Sequence, residues 1–348
     1  MRHQFMRTPR TIKGFGSKYA NPATLPTAGS AALDRSVAFS PDGSAVAFTY
    51  GYSPWVTVYR WTINGFGQAF SSPTTPLPSK PLSVTFSPDG NAILFTTTDS
   101  PYVHAYSWSS SGFGSKYSNP SSLFTSSSYH GVFMPSNNAV VLGLDASPRI
   151  GAYAWSSSTG FGAMYANPAT LPSSTSFAVA SSPSGNNVIL ATQSTPYIHA
   201  YPWSSASGFG AKYANPSQLT AAQDIKWTPD GQSVVVASSS TQYLYQWSGA
   251  GFGTRYSSSD VGQTVTSYGC ALSPAGNVAV FALYSGSFTS DPLIRAYPIS
   301  ASGFGTVYPT PSVGPGGNVY YVAYSPIEDT VIFAHAVSPF ITAYKFYP

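Results

Sequence analysis

Short apolar runs separated by turn-forming residues follow one another along the whole chain. In the first copy the runs cover Ser36 to Ser40, Ala45 to Thr49 and Trp55 to Trp61, and they are separated by Pro41-Asp42-Gly43 and Ser53-Pro54. Each run has the length of a β-strand, and Pro, Asp and Gly are turn formers. No stretch shows the apolar period of an amphipathic helix. The pattern therefore predicts an all-β chain.

The triplet Gly-Phe-Gly marks a repeat. Its copies lie between 43 and 52 residues apart and begin at Gly14, Gly65, Gly112, Gly160, Gly208, Gly251 and Gly303. Four residues after each Phe comes a second aromatic: Tyr19, Phe70, Tyr117, Tyr165, Tyr213, Tyr256 and Tyr308. A period of this length is typical of solenoids, propellers and arrays. Positions i and i+4 of a strand share one face, so each Phe and its partner are predicted to lie on one packed surface.

Each repeat unit combines three apolar runs with the Gly-Phe-Gly stretch as a fourth strand. Seven such units predict a seven-bladed β-propeller of four-stranded blades over residues 14–348, preceded by an N-terminal arm of residues 1–13. The chain opens with a fourth strand, Gly14 to Pro22, and ends with a third strand, Ile341 to Phe346. Pairing the N-terminal strand with the C-terminal three would close the ring and leave no exposed edge.

The unit Val-x-Phe-Ser-Pro-Asp-Gly, followed by a third strand that ends in Trp, resembles a WD40-type blade over residues 14–348. The resemblance implies a propeller. WD40 blades usually carry Gly-His before the first strand and Asp between the second and third. Here only Asp99, Asp145 and Asp291 stand near the latter position. The resemblance therefore does not extend to the hydrogen-bond network of His, Asp, Ser and Trp.

A longer string, Gly-Phe-Gly-x-x-Tyr-x-Asn-Pro-x-x-Leu-Pro, is complete at 14–26 and 160–172. It is similar to tandem propeller repeats in predicted proteins of tailed bacteriophages and environmental viral sequences. This resemblance implies a virion-associated protein.

Composition argues against catalysis. Only 7% of the residues are charged, and Glu328 is the single glutamate, whereas soluble domains typically contain about 25% charged residues. The five histidines show no metal-ligand spacing, and no nucleophile elbow, P-loop or dinucleotide fingerprint is present. We expect no catalytic residues, no metal and no cofactor. His104 and His199 are expected to be hydrogen-bonded between blades, and Cys270 to be a buried structural thiol. A propeller hydrolase or lyase would instead need Asp99, Asp145 and Asp291 to converge.

The N-terminal arm is basic. It contains Arg2, Arg7, Arg10 and Lys13, and no acidic residue precedes Asp34. Such an arm can bind an acidic partner surface, and it is the one segment where nucleic acid is a plausible ligand. The chain has no apolar run of 18 residues and its N-terminus has no signal-peptide core, so neither a membrane span nor export by a cleavable signal is expected.

The loops between second and third strands are rich in aromatic residues. Tyr, Trp and Arg dominate binding hot spots, so we predict a contact surface there. Its residues are Tyr52, Trp55, Tyr102, Arg149, Tyr197, Tyr284 and Phe288. The sixth blade carries the longest of these loops, Leu283 to Pro292. The alternative is that these side chains only pack on the next blade.

The sequence thus favours a non-enzymatic structural or interaction protein. The leading hypothesis is a phage virion component, located in the particle, that decorates the capsid or the tail by binding other virion proteins. The alternative is a glycan-binding propeller for adhesion to a host surface, and a cytoplasmic or surface-associated location is the alternative to the virion.

Overall fold

The computed structural model describes residues 13–26, 36–216, 220–257, 265–285 and 293–348. Its strands form seven four-stranded antiparallel sheets. The strands of the first three blades follow β1 (Gly14–Lys18) and are β2 (Val37–Phe39), β3 (Ala45–Thr49), β4 (Val56–Thr62), β5 (Gly65–Ala69), β6 (Pro81–Phe86), β7 (Ala92–Thr97), β8 (Val103–Ser109), β9 (Gly112–Lys116), β10 (Ser128–Phe133), β11 (Ala139–Leu144), β12 (Ile150–Ser156) and β13 (Gly160–Met164).

The remaining four blades contain β14 (Ser176–Ser181), β15 (Asn187–Thr192), β16 (Ile198–Ser204), β17 (Gly208–Phe209), β18 (Ala222–Trp227), β19 (Ser233–Ser238), β20 (Tyr243–Ser248), β21 (Gly251–Ser257), β22 (Thr266–Leu272), β23 (Val278–Tyr284), β24 (Ile294–Ser300), β25 (Gly303–Phe304), β26 (Val319–Tyr324), β27 (Thr330–His335) and β28 (Ile341–Tyr347). Among the described residues, no helix has the length and hydrophobicity needed to cross a membrane.

The blades form a closed ring, which confirms the predicted fold class. The seventh sheet has the order β1-β28-β27-β26, so the N-terminal strand completes the C-terminal blade. The first strand of each blade contacts the first strands of both neighbouring blades, and β2 contacts β26 across the junction. These seven innermost strands surround the central channel. The hydrophobic core lies between adjacent blades, where side chains of neighbouring sheets pack together.

Aromatic rings join each blade to the next. Phe161 lies edge-on to Trp155 of its own blade, with centroids 5.0 Å apart. Tyr117, from the preceding blade, also lies edge-on to Trp155, with centroids 5.1 Å apart, and its hydroxyl donates to the Ser157 carbonyl at 2.5 Å. Each Phe and the aromatic four residues after it were predicted to lie on one packed surface, and this prediction is wrong. A register shift in the pairing of β12 with β13 separates the Phe of a repeat from the Tyr of the same repeat. The Phe packs on its own blade and the Tyr on the next.

The turns between first and second strands have the predicted chemistry. A residue with positive φ occupies the same turn position in six blades: Gly43, Gly90, Asn137, Gly185, Gly231 and Gly276. In the second blade Ser87 Oγ donates to Asp89 Oδ1 at 2.5 Å. Burial would raise the pKa of Asp89, but hydrogen bonds from Ser87 and neighbouring groups outweigh it and lower the pKa to about 2. These aspartates are turn residues.

Candidate functional site at the channel mouth

The innermost strands share a β-bulge close to their N-terminal ends. In six blades the pairing with the second strand skips one residue; in β10, for example, Ser128 pairs with Leu144 and His130 with Gly143, so that Tyr129 has no partner. A bulge of this kind re-aims a side chain and is over-represented next to functional sites. The skipped residues are Leu82, Tyr129, Phe177, Gln223, Tyr268 and Tyr320.

These bulges lie on the same face of the ring as the loops between second and third strands. Each innermost strand begins opposite the end of its second strand, as Pro81 does opposite Thr97. The loop after that second strand therefore leaves from the same face, which we call the upper face. The lower face carries the turns between first and second strands and between third and fourth strands.

Five of the six bulged residues, all except Leu82, line a cleft of about 260 Å³ at the upper mouth of the channel. We call it the mouth cleft, and its principal residues are Tyr129, Phe177, Gln193, Gln223, Tyr268 and Tyr320. Tyr129 and Phe177 form one aromatic pair, with centroids 5.7 Å apart and planes at 89°. Tyr268 and Tyr320, 5.8 Å apart, form a second pair contributed by the sixth and seventh blades. The cleft thus brings together aromatic side chains of four blades with two amides.

Below the cleft, a channel cavity of about 680 Å³ is lined by the innermost strands. Three residues beyond each bulge the side chain is small or medium-sized in five blades: Thr85, Val132, Ala180, Ala271 and Ala323. In the fifth blade this position is Lys226, whose Nζ lies 2.6 Å from Asp224 Oδ1. The other carboxylate oxygen of Asp224 accepts a hydrogen bond from the backbone N–H of Cys270 at 3.0 Å. The carboxylate therefore neutralises the lysine and also links two blades.

Burial and charge set the protonation of this group. Burial alone would lower the pKa of Lys226, but the adjacent Asp224 carboxylate raises it above its ordinary value. Burial, reinforced by the Lys226 ammonium, lowers the pKa of His130 to about 4. Burial raises the pKa of the Cys270 thiol, which is fully enclosed as predicted. At neutral pH the group therefore holds one compensated ion pair, a neutral imidazole and a neutral thiol, with no activated nucleophile among them.

Most of the predicted loop residues lie on the upper face, in different environments. Tyr52 is 48% exposed. Trp55 and Tyr197 are half-buried and pack against the cores between blades. Tyr102 is half-buried, and Arg149 Nη1 donates to Thr175 Oγ1 at 3.4 Å.

Four of these residues have an unusual backbone in common. Trp55, Tyr102, Arg149 and Tyr197 have φ between 65° and 73°, in the left-handed region. Non-glycine residues adopt this region rarely, and bulky ones are then under strain. The same loop geometry therefore recurs from blade to blade around the upper face.

Among the described loop residues, Tyr284 reaches the aromatic group of the mouth, with its ring centroid 5.4 Å from that of Tyr268. Phe288 and the arm residues Arg2, Arg7 and Arg10 lie outside the described residues, and Lys13 is exposed.

Asp145 and the two histidines singled out from the sequence have different surroundings. Asp145 Oδ1 accepts a hydrogen bond from Thr175 at 3.1 Å, and Asp291 lies outside the described residues. His199 Nε2 contacts Ser173 Oγ at 3.4 Å. His104 is buried, and neither of its ring nitrogens has a hydrogen-bond partner in the described part of the chain, which departs from the expected interblade bond. No cluster of three metal-ligating side chains occurs among the described residues.

The bulged residues are not among the site residues predicted from the sequence. Their signal is present in the sequence as an aromatic residue at the same position of the innermost strand in four blades, Tyr129, Phe177, Tyr268 and Tyr320. Strand alternation alone would place such a residue on a face of the sheet. The extra residue of the bulge directs it to the channel instead.

Comparison with known proteins identifies the fold. No protein-family model and no curated protein matches the chain. Among solved structures, the chain resembles the β-propeller domain of Cps50 (Swd1) from Myceliophteria thermophila, with 10% identity, a TM-score of 0.65, and coverage of 92% of this chain and 99% of the other. It also resembles hydrazine synthase from Kuenenia stuttgartiensis, with 12% identity, a TM-score of 0.66, and coverage of 93% and 98%. These similarities place the chain among the β-propellers by fold.

Proposed function

We propose that this chain is a non-enzymatic binding scaffold that engages its partner through the upper face. The observation that carries this proposal is the asymmetry of the ring. Bulges and loops bring aromatic side chains together on the upper face, whereas turns built on Pro, Asp and Gly form the lower face. Aromatic residues held on a rigid frame are the residue type that dominates binding hot spots.

The partner we propose is another protein of a virus particle, in the capsid or the tail. The repeat string at 14–26 and 160–172, which is similar to repeats of tailed-phage proteins, supports this choice. The basic arm of residues 1–13 is proposed as a second contact that holds the chain to an acidic surface of the particle.

Density-gradient fractionation of the native source tests the partner. We expect the chain to co-sediment with intact particles at a fixed ratio to a capsid or tail protein. Recovery only in the fractions of free protein would contradict the virion assignment.

Variants on the two faces test the binding surface. Tyr52→Ser combined with Tyr102→Asn removes two upper-face aromatics, and Asn suits the positive φ at position 102. Ile63→Ser, at a 71% exposed position on the lower face, is the matched control. We expect the first variant to reduce particle attachment at least tenfold and the control to leave it unchanged. Equal attachment of both would exclude the upper face, and unchanged attachment after deletion of residues 1–13 would exclude the arm.

A second candidate function is glycan binding for host-surface adhesion. The mouth cleft favours it, because aromatic rings and side-chain amides occur there together.

A further inference from the structure

We infer that the mouth cleft is a binding site for one uncharged sugar ring per chain. The inference rests on the proposed binding function and deepens its second candidate, since it assigns the ligand class to one site in the ring. This single site differs from a series of equivalent sites on the seven loops between second and third strands.

The walls of the cleft suit the apolar face of a pyranose. The pair Tyr129 and Phe177 belongs to the third and fourth blades, and the pair Tyr268 and Tyr320 to the sixth and seventh. Tyr320 is only 2% exposed and packs against Tyr268, so the accessible rings are those of Tyr129, Phe177 and Tyr268. The C–H groups on one side of a sugar ring form a flat apolar surface, which can pack on an aromatic ring as other apolar groups do. Side chains that already contact one another also lose less conformational entropy on binding.

Two amides supply the polar contacts that a sugar needs. Gln193 is exposed and Gln223 is half-buried, and both line the cleft. Within the described residues neither side-chain amide makes a hydrogen bond. A glutamine amide offers both donors and an acceptor, which suits neighbouring hydroxyl groups that each donate and accept. The two amides therefore complement the aromatic walls.

The electrostatics of the site favour a neutral ligand. None of the described side chains that line the cleft is charged. In the channel below, the ammonium of Lys226 is already paired with Asp224 at 2.6 Å, and His130 is neutral because burial lowers its pKa. A charged ligand would lose hydration without gaining a counter-charge. This argues against a carboxylated sugar and against an ammonium ligand.

The size and stiffness of the cleft suit a single ring. Its volume of about 260 Å³ equals that of about nine liquid water molecules. The β-bulges belong to strands paired on their outer side, and the backbone N–H of Gln193 donates to the Thr175 carbonyl at 3.0 Å. The site is therefore formed before the ligand arrives, and further sugar units would extend upward over the loops.

Ligand-observed NMR with a panel of neutral methyl hexopyranosides and N-acetylhexosaminides tests the inference on the full chain. We expect at least one member to bind with one-to-one stoichiometry and a dissociation constant on the order of 1 mM. We expect Gln223→Leu, which keeps the side-chain volume, and Phe177→Leu, which removes the ring, each to weaken binding at least tenfold. Ile63→Ser on the lower face should bind as the wild type does.

Thermal unfolding shows whether each variant is folded before its binding is interpreted. Two results would overturn the inference: no binding of any neutral sugar to the wild type, or binding that is equal in Gln223→Leu, Phe177→Leu and the control. Stronger binding of a sialoside than of every neutral sugar would overturn the assigned ligand class. Particle attachment without sugar binding would refute this inference alone, whereas sugar binding without particle attachment would refute the virion partner alone.

Discussion

At the scale of single residues, the first glycine of each Gly-Phe-Gly triplet is required by its own backbone and by a neighbouring side chain. Gly160 has a φ of +84°, and a Cβ added there would lie 2.9 Å from Cδ1 of Tyr117 in the preceding blade. The other six triplets show the same combination, with φ between +75° and +108° and a Tyr or Phe of the preceding fourth strand within 3.2 Å. The repeated glycine is thus a contact point between blades.

Alanine substitutions at three glycines separate the cost of the backbone conformation from the cost of the clash with the neighbouring side chain. We expect Gly160→Ala to lower the free energy of unfolding by about 3 kcal/mol, because it adds backbone strain and a clash. Gly90→Ala, at φ +71° with open space around it, should cost about 1 kcal/mol from the backbone alone. Gly249→Ala, with neither constraint, should change stability by less than about 0.5 kcal/mol. Chemical denaturation checks this order, and equal costs at positions 160 and 90 would contradict the clash.

Two buried histidines should make the fold sensitive to acid. Burial, with a smaller contribution from Lys116, lowers the pKa of His104 from 6.5 to about 4, and burial with Lys212 does the same for His199. The unfolded chain therefore binds more protons than the folded chain between pH 6.5 and 4, so the free energy of unfolding falls as the pH falls through this range.

Threonine is a suitable replacement, because Thr57 and Thr342 occupy the same strand position in other blades. We expect the double variant His104→Thr, His199→Thr to lose about 6 kcal/mol less stability than the wild type between pH 7 and pH 4, about 3 kcal/mol for each histidine. Urea denaturation at several pH values measures this slope, which is independent of any constant cost of the substitutions. Parallel pH profiles would show that neither histidine titrates on unfolding.

At the scale of the elements, the fourth strand of each blade is shared between two blades. Its Phe packs on the Trp or other large residue that ends the third strand of the same blade, and the aromatic that follows packs on the next blade. Trp108 shows this with Phe113 of its own blade and Phe70 of the preceding one, with centroids 5.1 and 5.0 Å away. The outermost strand of each sheet is therefore held by packing on both sides.

Tyr117 allows the packing and the hydrogen bond to be measured separately. Tyr117→Phe keeps the ring, as Phe70 does in the preceding fourth strand, and loses the bond to Ser157, so we expect it to cost about 1 kcal/mol. Tyr117→Ala also loses the contact with Trp155 and should cost about 3 kcal/mol. Guanidinium denaturation compares the two with Ile63→Ala, an exposed control. Equal costs for Phe and Ala would assign the effect to the hydrogen bond alone.

At the scale of the whole molecule, the ring is closed by a strand from the opposite end of the chain. Phe15 on β1 lies 5.1 Å from Phe346 on β28, and it is more buried than its counterparts in the other triplets. The other fourth strands follow their third strand through a tight turn, whereas β1 and β28 are joined through nearly the whole chain. Bringing distant segments together costs loop entropy. We therefore expect the pairing of β1 with β28 to depend more strongly on side-chain contacts than the pairing of the other third and fourth strands does.

A matched pair of substitutions tests this difference. We expect both Phe15→Ala and Phe161→Ala to lower the free energy of unfolding, by about 3 kcal/mol at the buried position 15. Only Phe15→Ala should also produce dimers or larger species in size-exclusion chromatography, because an unpaired edge of β28 can pair with another chain. A monomeric Phe15→Ala variant with the stability of Phe161→Ala would show that closure is no more fragile than a hairpin.

Most of the fold could be read from local sequence, and most of the candidate site could not. Seven blades are predicted by the period of the Gly-Phe-Gly triplets and by turns such as Pro88-Asp89-Gly90. Their closure is predicted by the complementary chain ends. Turn chemistry and strand length depend on residues that are neighbours along the chain, so both can be predicted from a single sequence. The loop residues were found by type, but Trp55 and Tyr197 pack on the cores between blades, a distinction that needs the adjacent blade.

The sequence by itself determined the number of strands, their grouping into blades and the pairing that closes the ring, because each of these follows from a short segment or from the chain ends. Only the tertiary structure decided that Tyr129, Phe177, Gln223 and Tyr268 meet at one opening and that Lys226 is neutralised within the channel. Bulges in separate strands direct these side chains inward, and the closed ring then brings together residues from distant parts of the chain. Proximity of this kind is a property of the assembled ring, and no single repeat contains it.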